Sequence, residues 1–264
     1  MIILVLLVLG LIFGSFINAF VWRIHEGRDW VRERSECVQC HHELAARDLV
    51  PVVSWVSLRG KCRYCKKPIS VQYPIVEVVT AALFVLSYVS WPHLLVGVQR
   101  VIFGIWLVEL IGLMALLVYD VRWMLLPNKI VFPCTGLALI QAGLLLATSH
   151  SLTSSLIALS LATLVGGGIF YIIFQVSSGK WIGGGDVKLG FLMGILAGAP
   201  SKSLLFIFVA AVLGSIVSLP LLATKRLDRK STIPFGPFLI VGGVISVLFG
   251  SALLNWYTHV FLGV

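Results

Sequence analysis

Long apolar runs separated by short polar breaks organise this chain, and the lengths of those runs decide its fold class. Eight of them, at roughly 1–22, 75–91, 98–119, 129–148, 153–175, 187–199, 203–223 and 236–256, recur along the sequence. A helix needs about 20 apolar residues to cross a bilayer core, so the pattern predicts an all-α, polytopic membrane bundle of about eight transmembrane helices. The first run has no basic segment before it and no small-x-small cleavage site after it, and it reads as a retained span rather than a signal peptide. Its end offers small residues from Gly14 for close helix contact and an interfacial anchor at Trp22 and Arg23. The stretch Val187–Ala199 is exceptional: its 13 residues reach only about 20 Å as a helix, against a hydrocarbon core of about 30 Å. The loop before it is expected to dip into the membrane, where irregular backbone survives only if buried or lining water.

Composition agrees with this setting. Hydrophobic residues make up 59% and charged ones 12%, and the mean hydropathy is +1.02, which excludes an ordinary soluble domain. The net charge of +9 matters through its distribution. Of the 20 Lys and Arg, ten lie in 23–74, and Arg122, Lys129, Lys180, Lys188, Lys225, Arg226, Arg229 and Lys230 fall in breaks that eight crossings place on the same side. Only Arg100 and Lys202 remain for the other side. The positive-inside rule makes the crowded side cytoplasmic. Charge placed in this way is topological, so no nucleic-acid partner is expected; the partner is the lipid bilayer, whose anionic headgroups the basic loop can meet. The chain is thereby divided into a first transmembrane helix, 1–22, a cytoplasmic loop, 23–74, and a membrane-embedded core, 75–264. No signature fixes an oligomeric state.

A loop of about 50 residues is too small to hold itself together on an apolar core alone. It carries Cys37-Val38-Gln39-Cys40 and Cys62-Arg63-Tyr64-Cys65, two C-x2-C pairs separated by 21 residues. Such pairs can place four thiolates around a structural Zn²⁺, which supplies the missing folding energy, and Lys61, Arg63, Lys66 and Lys67 offset the site's negative charge. Paired disulfides or redox-active pairs are the competing assignment, disfavoured in a reducing cytoplasm. His41 and His42 are expected to be solvated, and Cys134 a small buried hydrophobe within a span.

Two aspartates, Asp120 and Asp186, stand at the ends of apolar segments in a chain poor in acid. A carboxylate at that depth is costly and marks a functional site by default. Two of them facing each other can share a proton and activate water against an amide. Asp186 follows Gly183, Gly184 and Gly185, which allow backbone conformations closed to other residues and close passage past a neighbouring helix or substrate strand. Asp186 opens a helix and Asp120 ends one, so the helix dipoles favour an ionised Asp186 and a protonated Asp120, with Lys188 acting in the same sense if it faces the site. Arg122 would reverse this by folding back onto Asp120. Glu77 and Glu109 are expected to pair within the bundle or line a substrate path.

In order along the chain stand Gly14-Ser15-Phe16 with Asn18 and Arg23, the cysteine pairs enclosing Pro51 to Trp55 and Leu58-Arg59-Gly60, and Tyr73-Pro74 with Glu77. Asp120 with Leu126-Pro127-Asn128, Gly183 to Leu189, and Pro234 to Phe238 follow. These blocks resemble, over nearly the full length, the bacterial type IV prepilin peptidases, GxGD membrane aspartic proteases of the inner membrane. The resemblance implies removal of the leader of prepilins and type II secretion pseudopilins, with Asp120 and Asp186 as catalytic pair and Gly183, Gly184, Gly185 and Lys188 around them. It also implies S-adenosylmethionine as donor for N-methylation of the new N-terminus, an activity that accompanies a cysteine-bearing N-terminal region. Val38 and Asn128 depart from the family's common proline and aspartate at those places. No Rossmann-type glycine loop is visible, and Gly166-Gly167-Gly168 is expected to serve helix contact. A peptidase lacking the methyltransferase, a presenilin-type protease, and a transporter binding an ion at a broken helix are the alternatives.

Overall fold

The computed structural model describes residues 1–224 and 233–263, so Lys225, Arg226, Arg229 and Lys230, assigned above to the cytoplasmic side, lie outside the described residues. The chain divides into two compact units, Met1–Val89 and Ser90–Val264. No strand forms among the described residues.

The first unit is built on two helices, α1 (Ile2–His25) and, after a short α2 (Val53–Ser57), α3 (Gln72–Val89). The two long helices cross where side chains are absent: a Cβ on Gly10 would run into the Ala81 backbone, and one on Gly14 would lie 2.5 Å from Glu77 Cα. These glycines, four apart, let the backbones touch, as the small residues near Gly14 suggested, and Gly10 extends the contact a turn further. A polar clamp finishes the crossing. Asn18 donates to the Tyr73 carbonyl at 3.2 Å and accepts from the Gln72 amide at 3.2 Å. Arg23 is a correction to the expected interfacial anchor: it is buried and donates to the Trp30 carbonyl and Ser35 hydroxyl, because the carbonyls of the loop behind it need a donor.

The second unit comprises α4 (Val98–Trp123), α5 (Asn128–Ala147), α6 (Leu152–Ser177), α7 (Gly184–Ala197), α8 (Pro200–Ala223) and α9 (Gly236–Tyr257). Across the described residues seven helices are long and apolar enough to span a membrane. The remaining apolar run, 187–199, forms α7, whose 14 residues cover about 21 Å. It can be short because it meets protein and not lipid: it contacts α5, α6, α8 and α9, and between Val187 and Ala197 only Lys188 and Phe191 are not buried. Glycines bring it onto α6, where a Cβ on Gly190 would meet the Gly166 carbonyl at 2.6 Å and one on Gly194 the Ala162 carbonyl at 2.7 Å. Gly166 and Gly167 lie in this seam, the latter under the Phe191 ring, so this glycine run is helix packing.

Candidate active site and metal centre

Asp120 lies in the last turn of α4, which ends when Met124 turns left-handed (φ 52°) and returns its N–H to the Asp120 carbonyl at 2.8 Å. Its side chain is buried, and Oδ2 has no hydrogen-bond partner. Asp186 lies in the first turn of α7 and is only partly covered. The two carboxyls are within electrostatic reach of one another. Leu126 and Gly236 complete the junction: a Cβ on Gly185 would lie 3.0 Å from Leu126 Cβ, while one on Gly236 would lie 3.6 Å from Leu126 Cδ1 and 2.5 Å from Asp120 Oδ2. The start of α9, from Pro234 to Phe238, thus reaches Asp120 by a bare backbone.

The three glycines before Asp186 correct one expectation. Gly183 has φ −74° and ψ 148°, and none of the three has positive φ, so left-handed freedom is not what they provide. At Gly185 the lack of a side chain matters, because a Cβ there would press on Leu126, whereas one on Gly183 or Gly184 would find only ordinary contacts at 3.7 Å. Lys188 is exposed and turns away to the start of α5, donating to Asn128 Oδ1 at 2.8 Å and lying over the Phe132 ring. Arg122 lies over the Trp123 ring instead of folding onto Asp120. Among the described residues neither aspartate has a cationic partner; the ion pairs all fall between Arg28 and Arg63. Glu109 is wholly buried in α4, and neither of its carboxylate oxygens has a hydrogen-bond partner among the described residues; Cys134 is buried in α5, as expected. Glu77 accepts the Val52 N–H at 2.6 Å and approaches the Ser15 hydroxyl. It thereby holds Val52 at φ 61°, a conformation unfavourable for a β-branched residue.

In the first unit the four cysteines converge. All are free, and their sulfurs lie within 4.8 Å of one another, Cys37 and Cys65 at 3.9 Å. Tetrahedral Zn–S bonds of about 2.3 Å require sulfurs about 3.8 Å apart, so the cluster is positioned to hold a metal ion and is compatible with zinc. The surroundings repeat at a constant offset of 25 residues, from Cys37 to Cys62 and Cys40 to Cys65. Cys37 N–H bonds the His42 carbonyl as Cys62 N–H bonds that of Lys67, and the Glu36–Glu43 bridge is matched by Lys61–Pro68. His41 and Lys66 stand at the same left-handed position, φ 55° and 61°. Burial pushes the Cys37 thiol up to about 11. At Cys62 burial acts in the same direction, but the backbone amides of Cys65 and Tyr64 outweigh it and bring the thiol to about 7.

Other loop residues join the knuckles. His41 pairs with Glu36, and His42 packs on Tyr64. Asp48, with no metal-like spacing to draw attention to it, accepts from Arg63 at 2.6 Å, Tyr64 at 3.0 Å and the Ala45 N–H at 3.3 Å.

No solved structure matches the chain. A model of the bacterial peptidase A24 N-terminal domain matches residues 8–91, and one of the type IV leader peptidase family matches residues 107–219. Three relatives are each named prepilin leader peptidase/N-methyltransferase. That of Stutzerimonas stutzeri is 33% identical, over 95% of this chain and 92% of its own length. That of Bacillus subtilis is 28% identical over 98% and 99%, and that of Pseudomonas putida 34% identical over 92% and 89%. By these matches, which include both the cysteine-bearing first unit and most of the helices that carry Asp120 and Asp186, the chain belongs to the type IV leader peptidase family and is a peptidase.

Proposed function

We propose that the chain is an aspartic endopeptidase that cleaves the leader from prepilins and pseudopilins at the cytoplasmic face of the membrane, and that it then N-methylates the new N-terminus with S-adenosylmethionine. The observation that carries the peptidase mechanism is the pair Asp120 and Asp186, in electrostatic reach, at opposite helix polarities and without a cation on either. Asp186, at the positive end of α7 and partly open, is the ionised base; it takes a proton from water as the water oxygen attacks the scissile carbonyl. Asp120, buried at the negative end of α4, is the protonated partner that donates to the carbonyl oxygen. Collapse of the tetrahedral adduct returns a proton to the leaving amine and breaks the C–N bond. Gly183 and Gly184 lead into α7, Gly185 passes Leu126 without a side chain, and Lys188 fixes the start of α7 to that of α5 through Asn128.

Seven apolar helices and the family point to an inner-membrane, multi-pass protein. The cytoplasmic placement of the knuckles and the aspartates rests on the distribution of Lys and Arg. We assign zinc to Cys37, Cys40, Cys62 and Cys65 in a structural role, holding the two knuckles together. Methyl transfer rests on the name borne by the relatives; Gly166 and Gly167 serve the α6–α7 contact. The test is incubation of the purified protein with a prepilin, following leader loss and methyl transfer separately. Asp120→Asn and Asp186→Asn should each abolish cleavage in a folded, membrane-inserted protein. Substantial cleavage by either variant would remove that residue from the pair.

A further inference from the structure

At the end of the second unit opposite the aspartates, the start of α4, the end of α5, the starts of α6 and α8 and the end of α7 enclose a cavity of about 270 Å³. It is lined by leucine and isoleucine side chains and by three polar atoms that have no hydrogen-bond partner among the described residues. Gln141 is 5% exposed and its Oε1 has no partner; Trp91 Nε1 and Gln99 Oε1 are likewise buried and unpaired. Lys202 lines the same cavity with no carboxylate to pair with among the described residues, and its neighbour His93 has its imidazole held below the ordinary range by burial and then by the Lys202 charge. Leaving a buried polar group unpaired is costly, so several of them lining one space indicate a polar occupant. Lys202 is also one of only two basic residues that the distribution of charge leaves on this side of the membrane.

The groups define the occupant. An ammonium and an indole N–H call for an anion; two amide oxygens call for donors beside that anion; and the apolar wall, at the depth where helices end, calls for hydrocarbon. We propose that this cavity is a binding site for a membrane phospholipid, whose phosphate pairs with Lys202 and Trp91 and whose headgroup hydroxyls or ammonium donate to Gln99 and Gln141. Phosphatidylglycerol and phosphatidylethanolamine carry such donors. Phosphatidylcholine has the same phosphate, but its quaternary ammonium has no N–H. A site of this kind fixes the α4, α7 and α8 ends together from the face away from the catalytic pair.

The experiment is native mass spectrometry of the full-length protein, delipidated in detergent and titrated separately with phosphatidylglycerol, phosphatidylethanolamine and phosphatidylcholine, beside thermal melts with the same lipids or with inorganic phosphate. One retained phosphatidylglycerol or phosphatidylethanolamine per chain is expected, with phosphatidylcholine held more weakly. Lys202→Met should weaken retention about tenfold or more, Lys202→Arg should largely restore it, and Gln141→Leu should narrow the gap between the donor-bearing lipids and phosphatidylcholine. Equal retention by wild type and Lys202→Met, or no retention of any phospholipid, overturns the proposal. So does equal protection by inorganic phosphate, which would make the site one for a free anion. The Asp120→Asn variant is the internal control for folding and should retain lipid as wild type does.

Discussion

Two glycines at the junction of Asp120, Leu126 and Asp186 act through atoms they lack. A methyl on Gly236 would stand 2.5 Å from Asp120 Oδ2, and one on Gly185 would stand 3.0 Å from Leu126 Cβ. The first intrusion falls on the carboxyl itself and the second on an aliphatic side chain that can yield. Gly236→Ala is therefore expected to lower the prepilin-cleavage rate about 10- to 100-fold with little loss of thermal stability, and Gly185→Ala to lower it less. Equal rates for Gly236→Ala and wild type would show that the carboxyl has room to retreat. The aspartates announce themselves in the sequence because acid is scarce and expensive in apolar segments. Gly236 does not, since its partner is 116 positions away and nothing local distinguishes it from glycines that merely ease helix contact. Lys188 was legible only as a charge near the site; its direction, toward Asn128, depends on where α5 starts relative to α7.

The knuckles show what an element-level repeat can and cannot disclose. Two C-x2-C pairs name the four cysteines that the fold brings together, because each pair can offer two sulfurs to one tetrahedral site. Zinc analysis of protein purified without chelator should find one zinc per chain. Substituting serine for Cys37 and Cys62 together should lose the metal and expose the loop to proteolysis; two mapped disulfides in place of metal would sink the assignment. The ties between the knuckles are not legible, since Asp48 belongs to neither motif. Burial by itself would raise the Asp48 carboxyl, but its bonds from Arg63, Tyr64 and the Ala45 N–H outweigh that and hold it below the ordinary range. A depressed folded value means that the stabilisation is complete above the unfolded value of about 4 and is lost as pH falls through the folded one. The advantage of wild type over Asp48→Asn in the melting of the loop, followed by Trp55 fluorescence, should thus shrink as the medium is acidified below about pH 4. A constant difference between pH 6 and pH 3 would mean that Asp48 acts by shape alone.

For the molecule as a whole, hydropathy reveals the helices and misses the hierarchy among them. The long spans carry their own evidence of insertion, whereas the sequence distinguishes α7 only by its shortness, and its place among α5, α6, α8 and α9 is a property of packing that no single run encodes. Gly194→Leu, which would drive a side chain into the Ala162 carbonyl and Thr163 Cα, should destabilise the fold by several kcal/mol, more than the same change at Gly168, whose added Cβ meets nothing. Comparable melting temperatures for the two variants would contradict this order. The brevity of α7 also bears on biosynthesis. A nascent chain that has released only α4 to α7 presents the insertion machinery with a segment of about 21 Å, below what the hydrocarbon core selects, and with none of the α8 and α9 surfaces that later enclose it. The helix bearing Asp186 is therefore expected to reach its depth only after the two spans that follow have been made, so that Asp186 meets Asp120, the partner proposed for it, only when synthesis is nearly complete.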